Sequence, residues 1–116
     1  MMTITVDGFM QEVATLVEAQ VVNKNNAFVL EIQPDIGFMN TDPTFMRQVL
    51  VNLIGNSAKF TEQGTISVSV APAGRAYAEE MIDAPEEGVE EWVVFKVRDT
   101  GIGMTPEELV HIFEPF

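Results

Sequence analysis

Cysteine is absent from the 116 residues, which removes disulfides, thiolate nucleophiles and cysteine-based metal sites. One histidine is too few for a histidine-rich zinc site within the chain. Basic residues are also scarce, six Lys and Arg against eighteen Asp and Glu, for a net charge of -12. A duplex-binding protein needs a basic stripe, so nucleic acid is not an expected partner. A nucleotide is not excluded, because Mg²⁺, backbone N–H groups and one Lys can hold phosphates inside an acidic protein. No apolar run approaches the roughly 20 residues that cross a bilayer. The Met1 end lacks the basic and apolar regions of a signal peptide. These absences are compatible with a reducing, cytoplasmic setting, and no direct membrane contact is expected from this segment.

A hydrophobic content of 47% argues against disorder, and the length suits one compact domain with a modest core. Thr3 to Val6 alternates as a short edge strand, and Gly8 punctuates it. Phe9 to Val22 reads as an amphipathic helix with Phe9, Val13, Leu16, Val17 and Val21 on its apolar side. Asn23 to Asn26 stops that helix, Ala27 to Ile32 is a strand candidate, and Pro34 to Asn40 is a turn with a short strand. Thr65 to Ala71 alternates, with Ile66, Val68 and Val70 pointing one way. A polar connection follows over 72–91, where Glu79, Glu80, Asp83, Glu86, Glu87, Glu90 and Glu91 form an acidic tract that suits a solvated loop. Trp92 to Val97 is the next strand, an antiparallel neighbour of the last. Asp99 to Gly103 is a tight turn, and Pro106 to Ile112 reads as a short helix. The expected fold is α/β, a two-layer sandwich of a mixed sheet packed against helices. An apolar ending in Ile112, Phe113 and Phe116 implies surface that further sequence would cover.

The most informative stretch is residues 42–64. Asp42 can cap a helix, and Pro43 fits its first turn. Phe45, Val49, Leu53 and Ala58 fall broadly on one apolar side, widened by Met46, Leu50 and Ile54. Gln48, Asn52, Asn56 and Lys59 line another flank at spacings of four, four and three. A solvated face explains them. So does a functional wall, since Asn is a poor helix former and two of them mid-helix carry a cost that Ala or Glu would avoid.

The second stretch is Arg98-Asp99-Thr100-Gly101-Ile102-Gly103-Met104. Gly101 and Gly103 permit close approach of a flat or anionic ligand to the backbone. Asp99 can accept a hydrogen bond from an exocyclic amine, as in adenine, whereas a carbonyl edge would not suit it. A turn with an Asx cap fits the same residues. His111 has no histidine partner. Asp7, Asp35 and Asp42 are single carboxylates at turns or caps, and Glu107 and Glu108 suit a helix first turn. Met10, Met39, Met46, Met81 and Met104 read as packing or loop residues.

Asn52-Leu53-Ile54-Gly55-Asn56-Ser57-Ala58-Lys59-Phe60-Thr61 resembles the asparagine box of sensor histidine kinases. Asp99-Thr100-Gly101-Ile102-Gly103-Met104 resembles their first glycine box, over 98–104, and Ile112-Phe113-Glu114-Pro115-Phe116 their phenylalanine box, over 112–116. Upstream, Asp42 and Arg47-Gln48-Val49-Leu50 extend the likeness over nearly the whole chain. The resemblance implies a Bergerat-type ATP-binding fold, shared with gyrase, Hsp90 and MutL-type ATPases, with 1–116 as a C-terminally incomplete catalytic domain. It implies ATP and Mg²⁺ as cofactors. Asn56 would ligate the Mg²⁺, Asn52 would support the phosphate and metal environment, and Lys59 would offset phosphate charge. Phe60 would lie against the nucleotide, Asp99 would take the adenine amine, and Gly101 and Gly103 would let the loop pass close to the base.

The implied activity is phosphoryl transfer from ATP to a histidine in a separate dimerisation domain of the same protein, with a response regulator downstream. Asn52 and Lys59 are the catalytic candidates, and His111 is not the acceptor. The full-length protein of such a family can be membrane-anchored. The chain stops before the family's second glycine box and ATP lid. These residues alone are therefore expected to bind Mg-ATP weakly or undetectably and not to autophosphorylate, and micromolar affinity by isothermal titration would contradict that. Two alternatives stay open: a degenerate interaction module of the same fold, and a gyrase- or Hsp90-type ATPase. The second is disfavoured by Asn52, which stands where those ATPases usually carry a water-activating Glu.

Overall fold

The structure, a computed structural model, describes residues 2–81, 83 and 87–100, and the backbone of 109–115. Strand β1 (Met2–Thr5) pairs antiparallel with β3 (Phe38–Thr41) in a small two-stranded sheet. Helix α1 (Val6–Val22) buries Val6, Phe9, Met10, Val13, Val17 and Val21 at spacings of three and four. It begins earlier than the sequence suggested, and Gly8 lies inside it rather than ending β1. Burial of Val6 carries the apolar stripe one turn upstream, and Asp7 suits the positive end of the helix dipole. Leu16, expected on the apolar side, is 49% exposed. The helix ends at Asn23, and Asn25 takes a positive φ that Asn tolerates better than most residues.

Strand β2 (Ala27–Ile32) falls where its sequence placed it and runs parallel to β4 (Thr65–Gly74). Helix α2 (Pro43–Phe60) makes the connection by way of β3. Its start is as expected: Asp42 Oδ1 accepts the N–H groups of Thr44 and Phe45 at 3.1 and 3.2 Å, with Pro43 in the first turn. Asp42→Ala is expected to remove about 1 kcal/mol of stability, read as a lower urea midpoint at unchanged slope.

The buried stripe of α2 is Met46, Leu50, Ile54 and Ala58, each four residues on from the last. The expected centre at Phe45, Val49 and Leu53 is rotated from it by about one residue, and Phe45 is 59% exposed. Adjacent apolar residues made the two stripes equivalent on a helical wheel. Docking decides between them, because α2 packs against both α1 and the sheet, with Arg47 Nε 2.7 Å from Glu12 of α1.

Beneath the helices, Ile66, Val68 and Val70 of β4 and Val93, Phe95 and Val97 of β5 (Glu91–Asp99) face the core. The main sheet has the order β2-β4-β5-β6, antiparallel from β4 onward, so the mixed α/β sandwich stands. Two segments depart from expectation. The first is the connection assigned to 72–91. There β4 continues through Pro72 to Gly74, and helix α3 (Arg75–Met81) follows, carrying Glu79 and Glu80 of the acidic tract. Pro72 is tolerated because β4 has by then outrun β2, whose last partner is Val70, and one edge is open. Arg75 holds the turn together, pairing with Glu79 at 3.3 Å and donating to the Val89 carbonyl at 2.9 Å. The second departure is β6 (Leu109–Pro115), a strand across much of the helix expected over 106–112. Leu109, Val110, Ile112 and Phe113 suit a strand, and the pairing fills the open edge of β5 with His111 opposite Lys96.

Candidate nucleotide site

Helix α2 is buried on one side only, so the 3.6-residue period turns a second set of residues outward. Gln48, Asn52, Asn56 and Lys59 are all exposed and share the flank that their spacing predicts. A rise of about 1.5 Å per residue puts Asn52 roughly 10 Å along the axis from Lys59. Phe60 closes the helix with its ring 78% exposed, and the Lys59 ammonium lies 5.6 Å from that ring's centroid. The end of α2 therefore presents two carboxamides, one cation and an open aromatic face.

Asp99 is the last residue of β5 and is half-buried. The next residue, Thr100, ties that strand end to the loop leaving α2. Its N–H donates to the Thr65 carbonyl at 3.0 Å, and its hydroxyl accepts the Thr65 N–H at 3.0 Å. Gly64 packs so closely that a Cβ there would lie 2.0 Å from the Thr100 carbonyl oxygen. One short loop, Thr61 to Gly64, thus separates Lys59 and Phe60 from the strand end bearing Asp99.

The loop is held from its other side by the segment between α1 and β2. Asn26 Nδ2 donates to the Thr61 carbonyl at 2.7 Å, and its Oδ1 accepts the Gly64 N–H at 3.0 Å. Gln63 N–H donates to the Lys24 carbonyl at 3.1 Å, and Lys24 Nζ donates to the Lys59 carbonyl. None of these contacts was foreseen. Asn23 to Asn26 read only as a helix stop, and Gly64 only as a helix end.

The profile of one family, described as "Histidine kinase-, DNA gyrase B-, and HSP90-like ATPase", matches residues 41–116. The chain belongs to this family. The "Aerobic respiration control sensor protein ArcB homolog" of Haemophilus influenzae is 36% identical over 94 residues, covering 80% of this chain and 24% of that protein. "Sensor histidine kinase RcsC" of Escherichia coli K12 is 33% identical over 97 residues, covering 83% of this chain and 8% of that protein. Among solved structures, full-length ShkA in complex with AMPPNP superposes with a TM-score of 0.65 at 24% identity, covering 86% of this chain and 18% of that one. The fold is therefore the family's Bergerat-type sandwich, and the chain is a catalytic ATP-binding domain of the sensor-histidine-kinase kind. It spans at most a quarter of the length of these two curated relatives.

Domains of this family generally bind Mg-ATP, and the residues on the α2 flank suit that ligand. A carboxamide oxygen is the hard, neutral donor that Mg²⁺ accepts alongside phosphate oxygens. Among the described residues no group of three or more His, Asp or Glu could hold a metal ion. Gly101 and Gly103 lie outside the described residues, as does Phe116. Ile112 to Pro115 lie on β6. A separate cavity of about 320 Å³ sits on the sheet face away from α1 and α2, beneath α3, lined by Ser69, Ala73, Tyr77, Val94 and Lys96. It shares no residue with the α2 flank. Among the described residues no helix is long and apolar enough to cross a membrane.

Proposed function

We propose that the chain binds Mg-ATP on the wall formed by the outer flank of α2 and the C-terminal end of β5. In the whole protein it would serve phosphoryl transfer to a histidine in a separate dimerisation domain. The observation that carries this reading is the short loop, Thr61 to Gly64, that follows Lys59 and Phe60 and packs at Gly64 against Thr100, the neighbour of Asp99. Asp99 accepts the adenine amine, Phe60 lies against the nucleotide, and Lys59 offsets phosphate charge. Asn56 holds the Mg²⁺ through its carboxamide oxygen, with Asn52 one turn away supporting it. Gly101 and Gly103 keep the 98–104 segment slim enough for the base, and 112–116 serves as the phenylalanine box. Bound Mg-ATP would supply the transferable phosphoryl group, with the cation offsetting its charge.

His111 is not the acceptor in this reading, because the acceptor histidine belongs to the separate dimerisation domain; His111 itself lies on β6, in register with Lys96. This reading includes a response regulator as downstream partner and a cytoplasmic setting for the domain, and the relatives' names, sensor protein and sensor histidine kinase, support its place among signalling proteins. They also favour a kinase over a gyrase-type ATPase or a binding module without nucleotide.

Titrating ¹⁵N-labelled chain with ADP, with and without Mg²⁺, tests the metal assignment. Wild type is expected to bind Mg-ADP with Kd of about 1 mM and more weakly when EDTA removes the cation. Asn56→Ala is expected to bind equally with and without Mg²⁺. An Asn56→Ala chain that keeps the full Mg²⁺ enhancement would place the metal elsewhere.

A further inference from the structure

Asn26 is 6% exposed, and its carboxamide spends both ends on one loop. The Nδ2 amide group donates to the Thr61 carbonyl and the Oδ1 oxygen accepts the Gly64 N–H, at 2.7 and 3.0 Å. Only a side chain with a donor and an acceptor side by side can bridge those two backbone groups. Around it the loop is stitched further, with Gln63 N–H on the Lys24 carbonyl at 3.1 Å and Ala27 N–H on the Gly64 carbonyl at 2.9 Å. Gln63 takes a positive φ of 52 degrees, uncommon for its residue type, while Asn25 takes one of 60 degrees that Asn tolerates.

This clasp lies between the two halves of the nucleotide wall. Thr61 immediately follows Lys59 and Phe60, and Gly64 is the residue pressed against the Thr100 carbonyl next to Asp99. An apolar residue at position 26 would leave the Thr61 carbonyl and the Gly64 N–H without this partner and loosen the loop from β2's start. We propose that Asn26 is a positioning residue for nucleotide binding. Its carboxamide fixes the exit of α2 so that Lys59 and Phe60 face the same ligand as Asp99. This rests on the nucleotide reading above and adds to it a residue that touches neither nucleotide nor metal.

The test compares Mg-ADP affinity of the wild-type chain, Asn26→Ala, Asn26→Asp and Val13→Ala by ¹⁵N chemical-shift titration. Each is measured at a temperature where it is fully folded. Val13 is buried in α1 and absent from the clasp, so Val13→Ala reports what lost stability alone does. Asn26→Ala is expected to weaken Mg-ADP about fivefold, with Val13→Ala within about twofold of wild type. Asn26→Asp keeps the acceptor for Gly64 and loses the donor to Thr61. Its carboxylate would face the buried Thr61 carbonyl acceptor to acceptor, so it is expected to weaken Mg-ADP at least as much as Asn26→Ala, and each variant supplies the comparison should the other fail to fold. Wild-type affinity in the folded Asn26 variants, or an equal loss in Val13→Ala, overturns the positioning role and leaves the nucleotide reading intact. Absence of shifts in the wild-type chain, the undetectable end of the expected range, overturns nucleotide binding by these residues alone and the positioning role with it.

Discussion

Asp99→Asn is expected to weaken Mg-ADP binding by at least about tenfold, the loss typical of a charge-assisted hydrogen bond worth roughly 1.5–3 kcal/mol. Asp99 ends β5, half-buried and held in place through the Thr100–Thr65 pair. A carboxylate only accepts, so it selects a base whose edge donates. The same substitution should therefore change selectivity as well as strength. Inosine diphosphate, which presents a carbonyl where adenine presents an amine, is expected to bind wild type poorly and Asp99→Asn about as well as ADP does. A pair of titrations measures the ratio. An Asp99→Asn chain that keeps wild-type preference for ADP would remove Asp99 from the adenine pocket.

The largest loss of stability is expected from Gly64→Ala. The new methyl would sit 2.0 Å from the Thr100 carbonyl oxygen and 2.8 Å from Thr61 Cγ2. The first of these is a backbone atom and cannot rotate away. Relief requires separating the 61–64 loop from β5, which breaks the Thr65–Thr100 pair and strains the Ala27–Gly64 bond. A loss of about 3 kcal/mol is expected, at the upper end for overpacking. Gly74→Ala is the control, because a Cβ there meets nothing within 4 Å, and its change should stay within about 0.5 kcal/mol. Urea unfolding of the two variants gives the comparison, and equal midpoints would show that the loop moves freely from the strand.

Local signals accounted for much of the molecule. The Asp42-Pro43 start of α2, the bounds of β2 and the inward face of β4 all follow from capping chemistry and from periods of 3.6 and 2 residues. The polar flank of Asn52, Asn56 and Lys59 was legible for the same reason. What could not be read locally was set by partners distant in sequence. The buried stripe of α2 was settled by α1 and the sheet, which chose Met46 over Phe45. β6 takes its conformation from the open edge of β5, against a helical reading of its first residues. α3 emerged from a tract whose charge suggested only solvent, because Ala78 is buried while the Arg75 guanidinium lies 5.7 Å from the Trp92 ring centroid. Asn26 meets its two partners across 35 and 38 residues, a pairing that no window of sequence displays.

The central claim is the location of the nucleotide wall, and mapping amide shifts on addition of Mg-ADP tests it most directly. The expected result is that the largest changes fall on Asn56, Lys59, Phe60, Asp99 and Thr100, on both sides of the 61–64 loop. Changes centred on Ser69, Tyr77, Val94 and Lys96 would place the ligand in the cavity beneath α3 and contradict it.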